Sequence, residues 1–489
     1  MMTESEFQAW AVKPDSVRCV LVEVAVRSGN SEITRYLSNV GYVTGGVDTP
    51  AHTAYDPCIA GGVSVTETLP LDGSASLSWG DIEIANPDGV KDTWLDDIWS
   101  GRTVRVLCGD VRWPRSEFLT VFSGVVEDIV ARSTDRLSLL LRDKSQRLNV
   151  AITEAKIGGT GPQKENLAPL CFGEVHNVTP ALIDQGTLTY RVHNGPIERV
   201  IEVRDSGVPV DFGQNLANGT FFLAAAPVGA VTASVQGSKV GGVYPSRPGA
   251  LIQHIVTTWG TQPLTAADLD TAQLAAFDAA HPQTIGLYLD NRTNLLEAVQ
   301  SIAASVGAQV CFTPGGLLQI QKIALPAVGS PTPIQAADIV HNSLAVAQSP
   351  KVAAAVRLAY CRNYTVQEGL QMGLPAEHSD MYGREWLIAQ ASDSSTAGLW
   401  NLSLTPEEVE TLLQSQAEAQ AEAARRLALW GVRRQVLRLD TVGRLMLLPL
   451  GSAATLTHSR FGLSAGKTGQ VVGKTCDWLA NRTNLEILI

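Results

Sequence analysis

The sequence predicts an α+β, β-rich multidomain chain, and three observations carry that expectation. Short runs of alternating or continuous apolar residues fill positions 1–150 and return over 432–489. Between about 249 and 306 the apolar period changes from two to 3.6. The charged share is 17% of 489 residues against 45% hydrophobic, so the chain is not disordered by charge excess.

Taken in order, Val17 to Val26, Val104 to Cys108 and Leu137 to Arg142 read as strands of an antiparallel sheet. Asn86-Pro-Asp-Gly89 is turn chemistry, and Trp94, Leu95, Ile98 and Trp99 suit one short amphipathic helix closed by Gly101. Residues 150–170, rich in Gly and Thr, form a connection. Glu198 to Val203 is the next strand, Asp205-Ser-Gly207 a turn, and Phe221 to Val235 a hairpin around Pro227-Val-Gly229.

From Leu251 to Trp259 and from Leu295 to Val306, apolar residues share helical faces. Gly307 ends the second helix, and Ala308 to Thr313, a Pro-Gly-Gly turn and Leu317 to Lys322 make a hairpin. A long helix is expected over 406–430, with Thr405 as N-cap, Pro406 in the first turn, Glu408 completing a capping box, Leu404 and Val409 as a staple, and Gly431 as the stop. Gln435 to Leu439, Ala454 to Thr457, Gly469 to Gly473 and Leu485 to Ile489 close the chain as strands. The expected domains are therefore 1–155 (β), 156–245 (small, β-rich), 246–345 (helix plus hairpin) and 346–489 (β, containing the helix 406–430).

Lys and Arg number 37 and Asp and Glu 48, so 37 − 48 gives a formal charge of −11 and no electropositive footprint for reading nucleic acid. MMTESEFQAW lacks the basic and apolar regions of a secretory signal. The uncharged stretch Phe212 to Ser238 is interrupted by Gln214, Asn215, Asn218 and Pro227, so no membrane span is expected.

Candidate catalytic patterns fail on spacing. Gly462-Leu-Ser-Ala-Gly466 fits G-x-S-x-G, but no His follows Ser464. The same loop is one residue short of a P-loop. The eight His residues include no H-E-x-x-H, and the seven Cys (19, 58, 108, 171, 311, 361 and 476) no C-x-x-C, so buried reduced thiols are expected. His254 reads as a helix-boundary residue. Asp96-Asp97 and Glu407-Glu408 are adjacent pairs whose side chains diverge on a helix. Trp113-Pro-Arg115 and Trp430 to Arg434 could stack bases, but the acidic total favours solvated faces and interface anchors. Catalytic, cofactor-binding and metal residues are each expected to be none.

The stretches Ala85 to Trp94, Trp99 to Leu107, Phe122 to Glu127 and Leu139 to Asp143 resemble the N-terminal part of tail-tip or baseplate hub proteins of long-tailed, siphovirus-like bacteriophages and prophages. Cys171 to Val178, Val192-His-Asn-Gly195 and Ala226 to Thr232 do so too. Phe461 to Val472, Cys476-Asp-Trp478 and Asn484 to Ile489 look like the family's closing strands. Similar gene-transfer-agent hubs can hold an iron–sulfur cluster on grouped Cys, and no such grouping is legible here.

The resemblance implies a structural virion protein at the tail tip, assembled in the host cytoplasm. It implies two barrel-like β domains per chain and a homotrimeric ring continuing the tail tube. The implied neighbours are a distal tail protein, the tape measure protein and a central fibre or receptor-binding protein. DNA and the tape measure would pass through without specific binding, past a bore expected to be acidic, and without stable membrane insertion. The alternatives are a tail-tip peptidoglycan hydrolase, with Cys171 and His176 as the nearest Cys–His pair in sequence, or a carbohydrate-binding receptor protein.

Overall fold

The computed structural model describes residues 3–71, 76–327, 329–367 and 375–489. These form two compact units, each assembled from separated segments: 1–146, 311–350 and 433–489 in the first, 147–310 and 351–432 in the second.

The first unit is built on one 14-stranded sheet. Its path runs from Ser31–Ser38 through Arg18–Ser28, Thr103–Asp110, Leu119–Ser133, Arg136–Arg142, Ser76–Trp79 and Ser64–Thr68. It continues without a break into Lys467–Asp477, Arg482–Leu488, Val436–Val442 and Ala345–Gln348. The N-terminal and C-terminal β segments therefore share one sheet, joined where Ser64–Thr68 pairs antiparallel with Gly473 to Asp477.

Arg18–Ser28 is apolar at consecutive positions because both its faces are covered. Val20, Val22, Val24 and Val26 enter one core with Val104, Val106, Phe122 and Leu139, while Cys19 and Leu21 enter another with Tyr42, Tyr55 and Phe118. The C-terminal strands have their own core of Leu437, Leu439, Leu456, Val471, Leu485 and Ile487. Cys476 and Trp478 cross over into the N-terminal core beside Val65.

At the junction, Lys474 lies directly opposite Glu67 and pairs with it at 2.6 Å, both side chains buried. Lys474 Nζ also donates to Leu448 O at 3.0 Å, and the Thr66 and Thr475 hydroxyls meet at 2.9 Å one register position away. A helix that the periodicity did not reveal, Glu4–Ala11, is capped by Thr3 with Glu6 and buries Phe7 and Trp10.

In the second unit a five-stranded sheet orders Val208–Pro209, Ile197–Asp205, Val231–Ser238, Leu170–Val178 and Gly286–Leu289. A four-stranded sheet orders Ala181–Asp184, Thr189–Arg191, Thr220–Leu223 and Phe212–Asn215. Helices Pro248–Thr258 and Leu295–Ser305 bury the faces that the 3.6 period marks, the second capped by the Asn294 side chain and followed by Gly307 at φ 69°. The hairpin Ala308–Phe312 with Leu318–Lys322 is present.

Three expectations are corrected. The helix expected over 406–430 is Gln416–Trp430 only. Residues Glu408–Glu410 form a strand parallel to Ala355–Tyr360, with Arg357 bonded to Glu408 at 2.6 Å, so pairing overrides the capping signal and Val409 stays exposed. Phe221 and Val235 lie in strands of different sheets and do not pair with each other as a hairpin. The segment around Trp94 is a short 3₁₀ turn, Asp92–Asp96. Its indoles serve side-chain packing: Trp99 is buried, Trp94 lies under the Arg35 guanidinium at 4.4 Å, and Arg35 is paired with Asp97.

Removing one partner of a buried ion pair strands the other charge, at roughly 3–5 kcal/mol. Glu67→Ala is therefore expected to lower the first unit's unfolding free energy by that order, while Glu67→Leu with Lys474→Met recovers most of the loss. Urea titration followed by tryptophan fluorescence measures both.

Candidate functional site

The G-x-S-x-G loop is a turn that enters the strand Lys467–Asp477, with Gly462 at φ 68° and Gly466 at φ 77°. Ser464 is exposed there and no helix follows it, so the strained strand-to-helix elbow that would present a nucleophile is not formed. The missing helix also removes the dipole a phosphate cradle would need.

Cys171 and His176 lie on one strand, Leu170–Val178, but five positions apart, and the structure does not bring them together. Cys171 is fully buried, while His176 faces Glu174 at 3.4 Å. The imidazole that Cys171 does meet is His193, whose Nδ1 accepts the Cys171 backbone N–H at 3.0 Å. His193 is fully buried among the rings of Phe172 and Trp259, and burial pushes its pKa down to about 3, so it is neutral. His254, read as a boundary residue, is buried and shares a hydrogen bond of 2.9 Å with Ser238.

All seven thiols are free and buried. Burial raises Cys19, Cys58, Cys108 and Cys311 to about 12 and Cys361 to about 11, and it raises Cys171 and Cys476 as well. Thiolates, the reactive form, are therefore scarce at neutral pH. Among the described residues, no three His, Cys, Asp or Glu side chains gather as a metal site would need. Of the acidic pairs, Asp97 is paired with Arg35 and Glu408 with Arg357.

Asp110 is the most heavily bonded carboxylate of the first unit. It accepts from Trp10 Nε1 at 2.9 Å, from Val17 N at 3.1 Å and from Arg112 Nε and Nη2 at 2.7 Å each. The Arg112 guanidinium holds its carboxyl well below the usual range, with the Trp10 donor adding to the effect. The tilted rings of Trp113 and Trp10 lie 4.7 Å apart, so Trp113 anchors the N-terminal helix, whose Phe7 also meets Trp478 at 6.3 Å. Arg115 itself pairs with Glu23 at 2.5 Å.

Among the described residues, the first unit offers outward its outer strands and cavities that include the following two. At one edge, residues 31–34 are exposed, with Ile33 at 38%; at the other, all four residues of Ala345–Gln348 are exposed, with Val346 at 37%. A cavity of about 540 Å³ is lined by His341, His458, Arg460 and Phe461 among others, and His458 Nδ1 accepts the Arg460 N–H at 3.1 Å. A second, of about 490 Å³, is lined by Arg433, Arg434, Gln435, Lys467, Thr468 and Ile489. Sequence reasoning missed both cavities, because each joins strand ends that are distant in the chain.

In the second unit, Asn177 donates to Asn363 Oδ1 at 2.5 Å and to Thr365 O at 2.7 Å, and Asn363 donates to Tyr382 O at 2.9 Å. Asn177, Asn363 and Tyr382 are buried, and the network ties the five-stranded sheet to Asn363, Thr365 and Tyr382. Its role is structural, since none of these amides titrates.

No family model matches the chain, and no curated protein matches it. The solved structures it is similar to include tail proteins. One is the tail protein from Neisseria meningitidis MC58, at 12% identity and TM-score 0.38 with 96% of each chain covered. Another is a 43 kDa tail protein of prophage MuSo2 from Shewanella oneidensis, at 11% identity and TM-score 0.38, covering 96% of this chain and 98% of that one. A third is a prophage tail protein from Listeria monocytogenes EGD-e, at 7% identity and TM-score 0.41, with 96% and 94% covered.

Two pH effects follow from the buried groups. Asp110's folded pKa is depressed, so its stabilisation is present above an unfolded value of about 3.9 and is lost as pH falls through the folded value. Asp110→Asn should therefore destabilise at pH 7, and its deficit against wild type should shrink below about pH 4. His193 is also depressed, but as a base it stays neutral in the fold while the unfolded chain takes up its proton. It lowers stability by up to about 1.4 kcal/mol per pH unit as pH falls from about 6 towards 4. His193→Gln should flatten that slope by one proton, read from denaturation midpoints across the range.

Proposed function

We propose that the chain is a structural subunit of a phage tail tip: the hub that forms a ring continuing the tail tube, joined to a central fibre or receptor-binding protein. The ring is a homotrimer in which the N-terminal and C-terminal β segments of each chain supply two tube-like portions. The distal tail protein sits on one side of it, and tape measure protein and DNA pass through it during infection. The role is structural and not enzymatic.

One observation carries this reading. The two β segments that resemble the hub family, from opposite ends of the sequence, are sewn into a single sheet whose main path ends in Ser31–Ser38, bonded along Tyr36–Ser38 to Asp56 and Ile59 but exposed over residues 31–34, and in Ala345–Gln348, with Ile33 and Val346 exposed on them. An open edge presents unpaired backbone N–H and C=O groups, which proteins otherwise blunt or cover. Ring closure between copies covers both. The buried thiols, the neutral His193 and the loop at Ser464 add no working nucleophile to this scaffold.

Light scattering on the purified protein should give three times 52.1 kDa, with a central hole in negative-stain images. Ile33→Lys with Val346→Lys should shift the population towards monomer while changing stability by no more than about 0.5 kcal/mol, since both positions are exposed surface. A cell-wall lysis assay should show no activity. Lysis that His176→Ala abolishes would establish the hydrolase instead.

A further inference from the structure

The cavity lined by Arg433, Arg434 and Lys467 sits where three neighbouring strands end or begin: Val436–Val442, Lys467–Asp477 and Arg482–Leu488. It concentrates three cations on a chain whose formal charge is −11. From Thr441 to Cys476 there is no Asp or Glu, while Ile489, the last residue of this sequence, brings its own carboxylate to the wall. Arg433 and Lys467 are both exposed, and among the described residues neither is paired with a carboxylate. The next arginine along the strand is spoken for: Arg438 pairs with Glu486. Gln435 and Thr468 complete the wall with an amide and a hydroxyl. The backbone of Gln435 is closed onto Ile489 by hydrogen bonds of 2.9 and 3.2 Å, which fixes the cavity floor.

We propose that this notch binds a short acidic segment of a partner polypeptide, its carboxylates seated on Arg433 and Lys467. The proposal rests on the charge of the notch and not on the tail reading. Guanidinium groups take carboxylates in bidentate geometry, and an ammonium beside them adds a second point of charge. An acidic peptide is favoured over nucleic acid on two grounds. Binding of a long polyanion needs many phosphates neutralised along a track, whereas these cations converge on one cavity of about 490 Å³. A net charge of −11 also repels an extended polyanion, while a segment of a few carboxylates in the notch is screened from the rest within about 8 Å at physiological salt.

Fluorescence anisotropy of the full chain with a labelled octapeptide of alternating Glu and Gly tests this, beside a labelled single-stranded oligonucleotide of equal length and inorganic phosphate as competitor. The expected result is saturable peptide binding, weakened by added salt and weakened at least tenfold in Arg433→Glu with Lys467→Glu. The neutral pair Arg433→Gln with Lys467→Gln, checked by circular dichroism, should weaken it at least threefold and serves alone where the reversal does not fold. Absence of peptide binding, an oligonucleotide that binds as tightly, or variants that bind like wild type would each overturn the proposal.

Discussion

The pairing of Ser64–Thr68 with Gly473 to Asp477 is the strand pair through which the N-terminal and C-terminal strands of the first unit join along the path of one sheet. A slip of one residue would turn Val65 and Cys476 out of the core and Glu67 and Lys474 away from each other. The ion pair fixes register more than it adds stability. Desolvating two charges offsets most of their attraction, yet a misregistered pairing would leave both buried and alone. The Thr66–Thr475 hydroxyl contact, 409 positions apart in sequence, reinforces the same register on the other face.

That seam explains how segments from both ends of the chain come to serve one core. Leu448 accepts from Lys474, Met446 accepts from the Cys476 thiol, and Trp478 meets Phe7 of the N-terminal helix. Chain closure over several hundred residues costs only slowly more entropy as the loop lengthens, so such pairing is affordable once formed.

Much of the local structure was legible in the sequence. The strands at 17–26, 104–108 and 137–142, the turn at Asn86 to Gly89, the helix ended by Gly307 and the four closing strands follow period and turn chemistry, and the structure has them. What was not legible was set by distant partners. Glu408 and Val409 carry a helix-start signal that loses to pairing with Ala355–Tyr360. Trp94 and Trp99 look helical by spacing but are placed by Arg35 and Asp97. Thr220–Leu223 and Val231–Ser238 read as a hairpin because they are adjacent, yet each finds its partners in another sheet. The helix Glu4–Ala11 escaped because two aromatic residues, Phe7 and Trp10, bury its short apolar face. The cavities could not be read at all, since Arg433 and Lys467 are neighbours only once Val436–Val442 and Lys467–Asp477 have both paired with Arg482–Leu488.

The distribution of polar groups follows from the same constraint. Inside, two buried carboxylates of the first unit are matched by cations: Glu67 by Lys474, and Asp110 by Arg112 with Trp10. Outside, the arginines along the strands are mostly paired as well, with Arg438 on Glu486 and Arg142 on Glu127. Such exposed pairs add little stability, about 0–1 kcal/mol each, but they leave few side chains free to choose a partner. Specificity for another chain then falls to backbone along the outer strands Ser31–Ser38 and Ala345–Gln348, which another strand could match, and to Arg433 and Lys467 of one notch, which favour an anion. A contact that used both would be directional, because edge pairing supplies area and the notch rejects any segment without a carboxylate.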